Sequence, residues 1–382
     1  MDPEDWISMK HINSGHFLMG VRADTWYKLL RENRFAIRPE QIPQALLISA
    51  TSTLLSPVAA LEKAVYDKKI LASRPTKDPI FVLGHWRSGT TYLQNMLSRD
   101  EQFGWFDPVN TVVLPYSLLL GKVLTGAVKK GIANGRPMDN VQYSLDLPMV
   151  ETFALLTQTN HDIIHMIAFP GRYDSYISGA FVADLPPEER EKWRKAYDYI
   201  IRKLTYIKGG KQLILKSPDN TGHIPELRSL YPDARYINIH RDPYKTIRST
   251  IHMFSTQMDA LALTLPPADV DIVIEDTIIS IFERMYRQLF ELEKTFPDNR
   301  YADVAFTDFT RDPVGTLEEI YRKLELPGFE EARPRFQAYA DSQKNYRKNR
   351  LELSPRLIRK INARLGFYFE HYGYDRLEEA EE

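Results

Sequence analysis

The chain of 382 residues contains no cysteine. That absence removes disulfides, thiolate nucleophiles and cysteine-ligated metal together, and a reducing compartment such as the cytoplasm is the expectation. An excess of one charge is missing too. Lys+Arg of 50 against Asp+Glu of 51 leave a formal net charge of -1. No global basic field exists to draw in nucleic acid, so no nucleic-acid partner is expected, although a local basic pocket remains open. The stretch Met1-Asp-Pro-Glu-Asp-Trp6 is acidic and lacks the basic-then-apolar order of a signal peptide. Long apolar runs are scarce. The most apolar segment, residues 45–61, carries five Ser/Thr residues and Pro57 and is short for a bilayer span. It reads as a buried or capping helix, with a peripheral membrane contact through these N-terminal apolar helices as the alternative. Internal repeats are not visible.

What is present organises itself around Pro79-Ile-Phe-Val-Leu-Gly84-His-Trp-Arg87-Ser-Gly89-Thr90-Thr91-Tyr92-Leu93. Residues 80–83 form an unbroken apolar run, the pattern of a strand buried on both faces. A loop bounded by Gly84 and Gly89 follows, and then Leu93, Met96 and Leu97 recur at helical spacing. Strand, glycine-bounded loop and helix make a phosphate cradle, because backbone N–H groups and the positive helix end converge on an anion. The nucleoside-triphosphate version ends Gly-Lys-Ser/Thr. Here Thr90-Thr91 follow Gly89 and the fixed cation is Arg87, which argues against ATP or GTP hydrolysis and against a magnesium site.

Further strands are predicted at residues 212–215, 235–239 and 301–306, with helices between them, most clearly at 187–204, 224–231, 244–254 and 274–292. This alternation predicts an α/β fold, P-loop-like, in three α/β/α layers around a central, mostly parallel sheet. Residues 1–75 read as an N-terminal helical cap and 76–382 as the α/β domain with a C-terminal helical extension. Ser354-Pro355 reads as the cap of a last helix. Ligands of such sheets bind at the carboxyl ends of the strands. The tails of three predicted strands supply Arg87, Lys216 and Arg241, a set suited to an anion with more than one charged group.

On these residues the sequence resembles the sulfotransferases that use 3′-phosphoadenosine 5′-phosphosulfate (PAPS), in particular a bacterial-type branch. The match is carried by Gly84-His-Trp-Arg-Ser-Gly-Thr-Thr91, Arg136-Pro-Met-Asp-Asn140, Leu215-Lys-Ser-Pro218 and His240-Arg-Asp-Pro243 with Ser249. The resemblance implies PAPS as donor, 3′-phosphoadenosine 5′-phosphate (PAP) as product and no required metal. It implies that Arg87, Ser88, Gly89, Thr90 and Thr91 hold the 5′-phosphosulfate and that Tyr92 lies against adenine. Arg241 and Ser249 would hold the 3′-phosphate, with Tyr346, Arg347 and Lys348 as a second contact. Arg87 and Lys216 would stabilise the leaving phosphate.

The general base is less legible. Many relatives carry a histidine two positions after the strand-end lysine, where this chain has Pro218. Glu151 is the first choice, followed by His85 and Asp107, with His161, His165 and His223 behind them. His161 and His165 have a metal-ligand spacing but sit in a β-like Asp-Ile-Ile context. The expected acceptor is a small-molecule hydroxyl, lipophilic in preference to a glycan. A P-loop kinase and a non-catalytic nucleotide-binding protein are the rival readings. The sequence carries no signal for oligomeric state.

Overall fold

The structure is a computed structural model that describes residues 15–132, 144–344 and 352–378. The Arg136–Asn140 motif and the proposed contacts Tyr346, Arg347 and Lys348 lie outside the described residues.

Five strands form one sheet: β1 (Ile80–Leu83), β2 (Phe103–Gly104), β3 (Gln212–Leu215), β4 (Arg235–His240) and β5 (Tyr301–Ala305). Their order is β2-β3-β1-β4-β5, and every neighbouring pair is parallel. The sheet is thus wholly parallel, where the sequence predicts a mostly parallel one. β1 is central, with Ile80 opposite Ile214 on one side and Val82 opposite Ile237 on the other. Its four residues are buried, because helices cover both faces. Phe81 and Leu83 point into the cluster shared with Trp26, Ile48 and Ile278. Ile80 and Val82 point into the other, with Leu93, Leu317 and Phe336. Period-two geometry explains why a buried parallel strand shows no polar alternation.

Helix starts follow local chemistry. Asp242 accepts from the Tyr244 N–H at 2.9 Å and precedes Pro243, opening the helix Pro243–Leu261. Ser354 likewise caps Pro355–Arg364, but that helix is not the last, since Gly366–Tyr372 follows it. The predicted helices are present with longer bounds: Pro187–Ile207, Asn220–Leu230, Pro243–Leu261 and Val270–Glu293. β2 was not predicted, because two residues carry no periodic signal. The predicted strand at 301–306 ends at Ala305, and Phe306 opens a short helix instead. His165 begins a helical turn, His165–Ala168, so the β-like reading of that context is corrected.

The apolar segment at 45–61 belongs to a 31-residue helix, Ile42–Ala72, with Pro57 inside it. Leu46, Leu54 and Leu61 on it are exposed, so the reading of this segment as a wholly buried helix is corrected.

Candidate functional site

The loop after β1 turns through backbone conformations that favour glycine. Gly84 has φ +134° and donates its N–H to the Thr221 hydroxyl at 2.9 Å. A Cβ on Gly84 would stand 2.6 Å from the Ile239 carbonyl oxygen. Gly89, φ +114°, sits at the start of the helix Thr90–Leu97, and a Cβ there would overlap the Phe306 ring at 2.3 Å. Between them Arg87 holds φ +69°, a strained position for a non-glycine residue. The first-turn N–H groups of Thr90 and Thr91 have no helical acceptor by position and add the positive end of the helix dipole.

The tails of β1, β3 and β4 converge on one cavity of ≈ 1700 Å³, whose wall includes Arg87, Lys216 and Arg241. The Arg87 Nε donates to the Ser249 hydroxyl at 3.0 Å. Arg241 donates to the Arg87 carbonyl at 3.1 Å, and its guanidinium lies 4.6 Å from the centre of the Phe306 ring. Lys216 Nζ donates to the Thr91 hydroxyl at 3.4 Å. Phe306 thus stands beside both Arg241 and Gly89, from which it is far removed in sequence, so no local pattern marks it. Tyr92 lines the cavity beside Phe309, with ring centres 4.9 Å apart. Burial pushes its hydroxyl up to about 12.

Gly89, Thr90, Thr91 and Ser249 also line this cavity. Ser88 does not: it is fully buried, and its hydroxyl would stand 2.6 Å from a Cβ on Gly84. The cavity lining also includes the apolar residues Leu147, Pro148, Met149, Phe153, Ile164 and Met253.

None of the three leading general-base candidates stands on the cavity wall. Glu151 is 1% exposed and lies behind the end of β3. It accepts from the Lys216 backbone N–H at 2.8 Å, from the Tyr197 hydroxyl at 3.3 Å and from the Asn220 amide. Burial raises its carboxyl to about 7, against the lowering effect of the Asn220 bond and the Lys216 charge. His85 is buried against Trp86 and Phe282, and burial lowers it to about 3. Asp107 caps the turn Pro108–Val112 and pairs with Lys208 at 2.9 Å. His161 pairs with Glu189, and His165 and His223 point at the carbonyls of Thr159 and Gly179.

The cavity wall carries a different buried carboxylate, Asp219, 2% exposed and three residues beyond Lys216. It accepts from the Thr152 hydroxyl at 3.0 Å, and Thr152 also bonds Ser217. Asp162 is fully buried, and its Oδ2 has no hydrogen-bond partner among the described residues. Burial pushes both carboxyls up, and the Asp219 charge raises Asp162 further. The signal for Asp219 was present in sequence, directly after Lys216-Ser217-Pro218.

A wholly parallel sheet with a glycine loop and cations at three strand tails defines an α/β protein of the P-loop type with a cavity suited to anions. The model described as "Sulfotransferase family" matches residues 79–331. The chain belongs to that family and is a sulfotransferase, the class of EC 2.8.2 enzymes. It is 29% identical over 359 residues to proteins of Mycobacterium bovis and Mycobacterium tuberculosis named omega-hydroxy-beta-dihydromenaquinone-9 sulfotransferase Stf3. Those alignments cover 94% of this chain and 91% of the relatives. Among solved structures, the fold is similar to sulfotransferase STF9 from Mycobacterium avium, with a TM-score of 0.66 and 16% identity over 95% of this chain and 98% of that one. It is also similar to sulfotransferase STF1 from Mycobacterium tuberculosis H37Rv, with a TM-score of 0.65 and 17% identity over 84% of this chain and 88% of that one.

Proposed function

We propose that the protein transfers the sulfuryl group of PAPS to the hydroxyl of a lipophilic small molecule and releases PAP. The observation that carries this reading is the Arg87–Ser249 contact at 3.0 Å. It joins the glycine loop to the helix after β4, so two anion-binding elements serve a single cavity. A donor with separated 5′ and 3′ anions fits that pairing, and a triphosphate, needing a loop lysine, fits it less well. Arg87, Thr90, Thr91 and the first-turn N–H groups hold the phosphosulfate. Arg241 and Ser249 hold the 3′-phosphate, and the Tyr92–Phe309 pair offers a face to adenine.

The reaction is an in-line displacement. The acceptor oxygen forms a bond to sulfur as the bond from sulfur to the 5′-phosphate oxygen breaks. Negative charge gathers on the leaving phosphate, and Lys216 and Arg87 neutralise it, the part a metal plays in many phosphoryl transfers. The hydroxyl proton passes to Asp219, the buried carboxylate on the cavity wall. Glu151 acts at one remove, by fixing the backbone of Lys216.

The acceptor reading rests on the apolar wall around Met149, Phe153 and Ile164. The name of the mycobacterial relatives, which act on an omega-hydroxylated menaquinone, supports an alcohol of the same kind. A reducing, cytoplasmic setting belongs to this reading and is supported by the absence of cysteine.

Thermal unfolding tests the donor. PAP is expected to raise the midpoint, and ATP with magnesium is expected to leave it unchanged. The reverse pattern would overturn the donor assignment. Incubation with PAPS and parallel panels of isoprenoid alcohols, sterols and oligosaccharides, read by mass spectrometry for one added sulfate, tests the acceptor. Sulfation confined to oligosaccharides would overturn the lipophilic reading.

A further inference from the structure

The helix Ile42–Ala72 presents two unlike faces. One face carries Ala45, Ile48, Ser52 and Ile70 into the protein. It also carries Glu62, which pairs with buried Lys203 and accepts from the Leu118 and Leu119 N–H groups at 2.8 and 2.9 Å. The other face carries Ile42, Leu46, Leu54, Leu61 and Val65, all exposed, with Leu54 at 75%. At about 100° per residue these five fall within an arc of roughly 140°, a single stripe along the helix axis. By length and composition the segment Pro39–Ala72 would suffice to cross a bilayer. Its anchored inner face, with the Glu62–Lys203 pair, instead fixes it lengthwise on the protein.

The neighbouring helix Ser117–Ile132 extends the patch. Leu55, Val58 and Ala59 of the first helix pack in one cluster with Val128, Leu120 and Leu124 of the second. Val123 is 75% exposed beside them. Across both helices the exposed ionisable residues are Lys63, Lys68, Lys69, Lys122, Lys129 and Lys130, and no carboxylate is exposed. Lysine stems lie along apolar surface while their ammonium groups reach outward.

We propose that this two-helix face docks on an anionic lipid bilayer, the stripe entering the interface and the lysines meeting lipid phosphates. An apolar stripe and exposed lysines are the two components of interfacial helix binding. A second copy of the chain is the poorer occupant, because a two-fold contact would set the lysines of one copy against those of the other. The inference goes beyond the assigned reaction and does not depend on donor, acceptor or base.

Co-sedimentation with vesicles of phosphatidylglycerol and phosphatidylcholine, against vesicles of phosphatidylcholine alone, tests it without any turnover. Binding is expected on the anionic vesicles and is expected to fall as salt rises. The combined substitution Leu46→Asp, Leu54→Asp and Leu61→Asp is expected to abolish binding, with circular dichroism and a cooperative thermal melt checking that the variant remains folded. Lys68→Gln with Lys122→Gln, both at exposed positions, is expected to weaken binding by about tenfold or more. Absence of binding to anionic vesicles would overturn the proposal. So would binding that survives both variant sets, or self-association that the aspartate substitutions abolish while vesicles are ignored.

Discussion

The Arg87 guanidinium donates to the Ser249 hydroxyl, bridging the loop after β1 and the helix after β4 across 162 positions of sequence. If the two grip opposite ends of one donor, removing the hydroxyl weakens donor binding while leaving the loop in place. Ser249→Ala is expected to loosen PAP binding by about tenfold, the worth of one charge-assisted hydrogen bond. Arg87→Ala is expected to lower kcat/KM by roughly 10²–10³-fold, since it also removes charge at the leaving phosphate. Calorimetry with PAP and steady-state kinetics give the two numbers, and unchanged PAP affinity in Ser249→Ala would remove this hydroxyl from the donor site.

Asp219 as general base makes a prediction that separates chemistry from binding. Asp219→Asn retains the shape and can still accept from Thr152. It is expected to hold PAP as the parent does and to lose about 10²–10⁴-fold in kcat. The parent rate is expected to rise with pH through about 6, the value to which burial lifts Asp219, because a base must be deprotonated to act. Should Glu151→Gln, and not Asp219→Asn, remove the acid limb of the pH profile, the base assignment moves to Glu151.

Glu151 has its own signature in stability. Its folded carboxyl lies near 7, above the ordinary glutamate value of 4.5. The folded state then binds more protons than the unfolded state between those values. Stability from this group is accordingly greatest below about 4.5 and is lost as pH rises to 7. Glu151→Gln cannot titrate and is expected to flatten the fall in Tm between pH 5 and pH 7.5 in buffered thermal scans. An unaltered slope would show that Glu151 is ionised in the folded protein throughout.

Gly84 is held at a positive φ with the Ile239 carbonyl directly where a side chain would begin. Gly84→Ala is expected to cost about 1–3 kcal/mol from strain and overlap. Because the loop would shift to relieve it, PAP affinity is expected to fall as well. Chemical denaturation with and without PAP distinguishes the two losses, and a variant as stable as the parent would show that the loop has room to relax.

Much of the scaffold is legible in the amino-acid sequence. β1, β3 and β4 announce themselves as apolar runs because strands of a covered parallel sheet are buried on both faces. Their polar tails then place Arg87, Lys216 and Arg241 on one rim by topology alone. β2 escaped because two residues have no period, and helix ends drifted because caps outside the apolar pattern decide them.

The residue types and spacing of the chain determined the parallel sheet, the glycine loop and the three cations at the strand tails, since local sterics and period fix those directly. Tertiary structure alone decided which carboxylate meets the cavity. The sequence ranks Glu151 ahead of Asp107 and leaves Asp219 unmarked, and only packing determines that the first is turned behind Lys216, the second is spent on a helix cap and Lys208, and the third stands on the wall. Packing likewise decided the fate of the apolar helix at 42–72. Composition serves a buried and an exposed stripe equally well, and the anchoring of Glu62 by Lys203 sets which face looks outward.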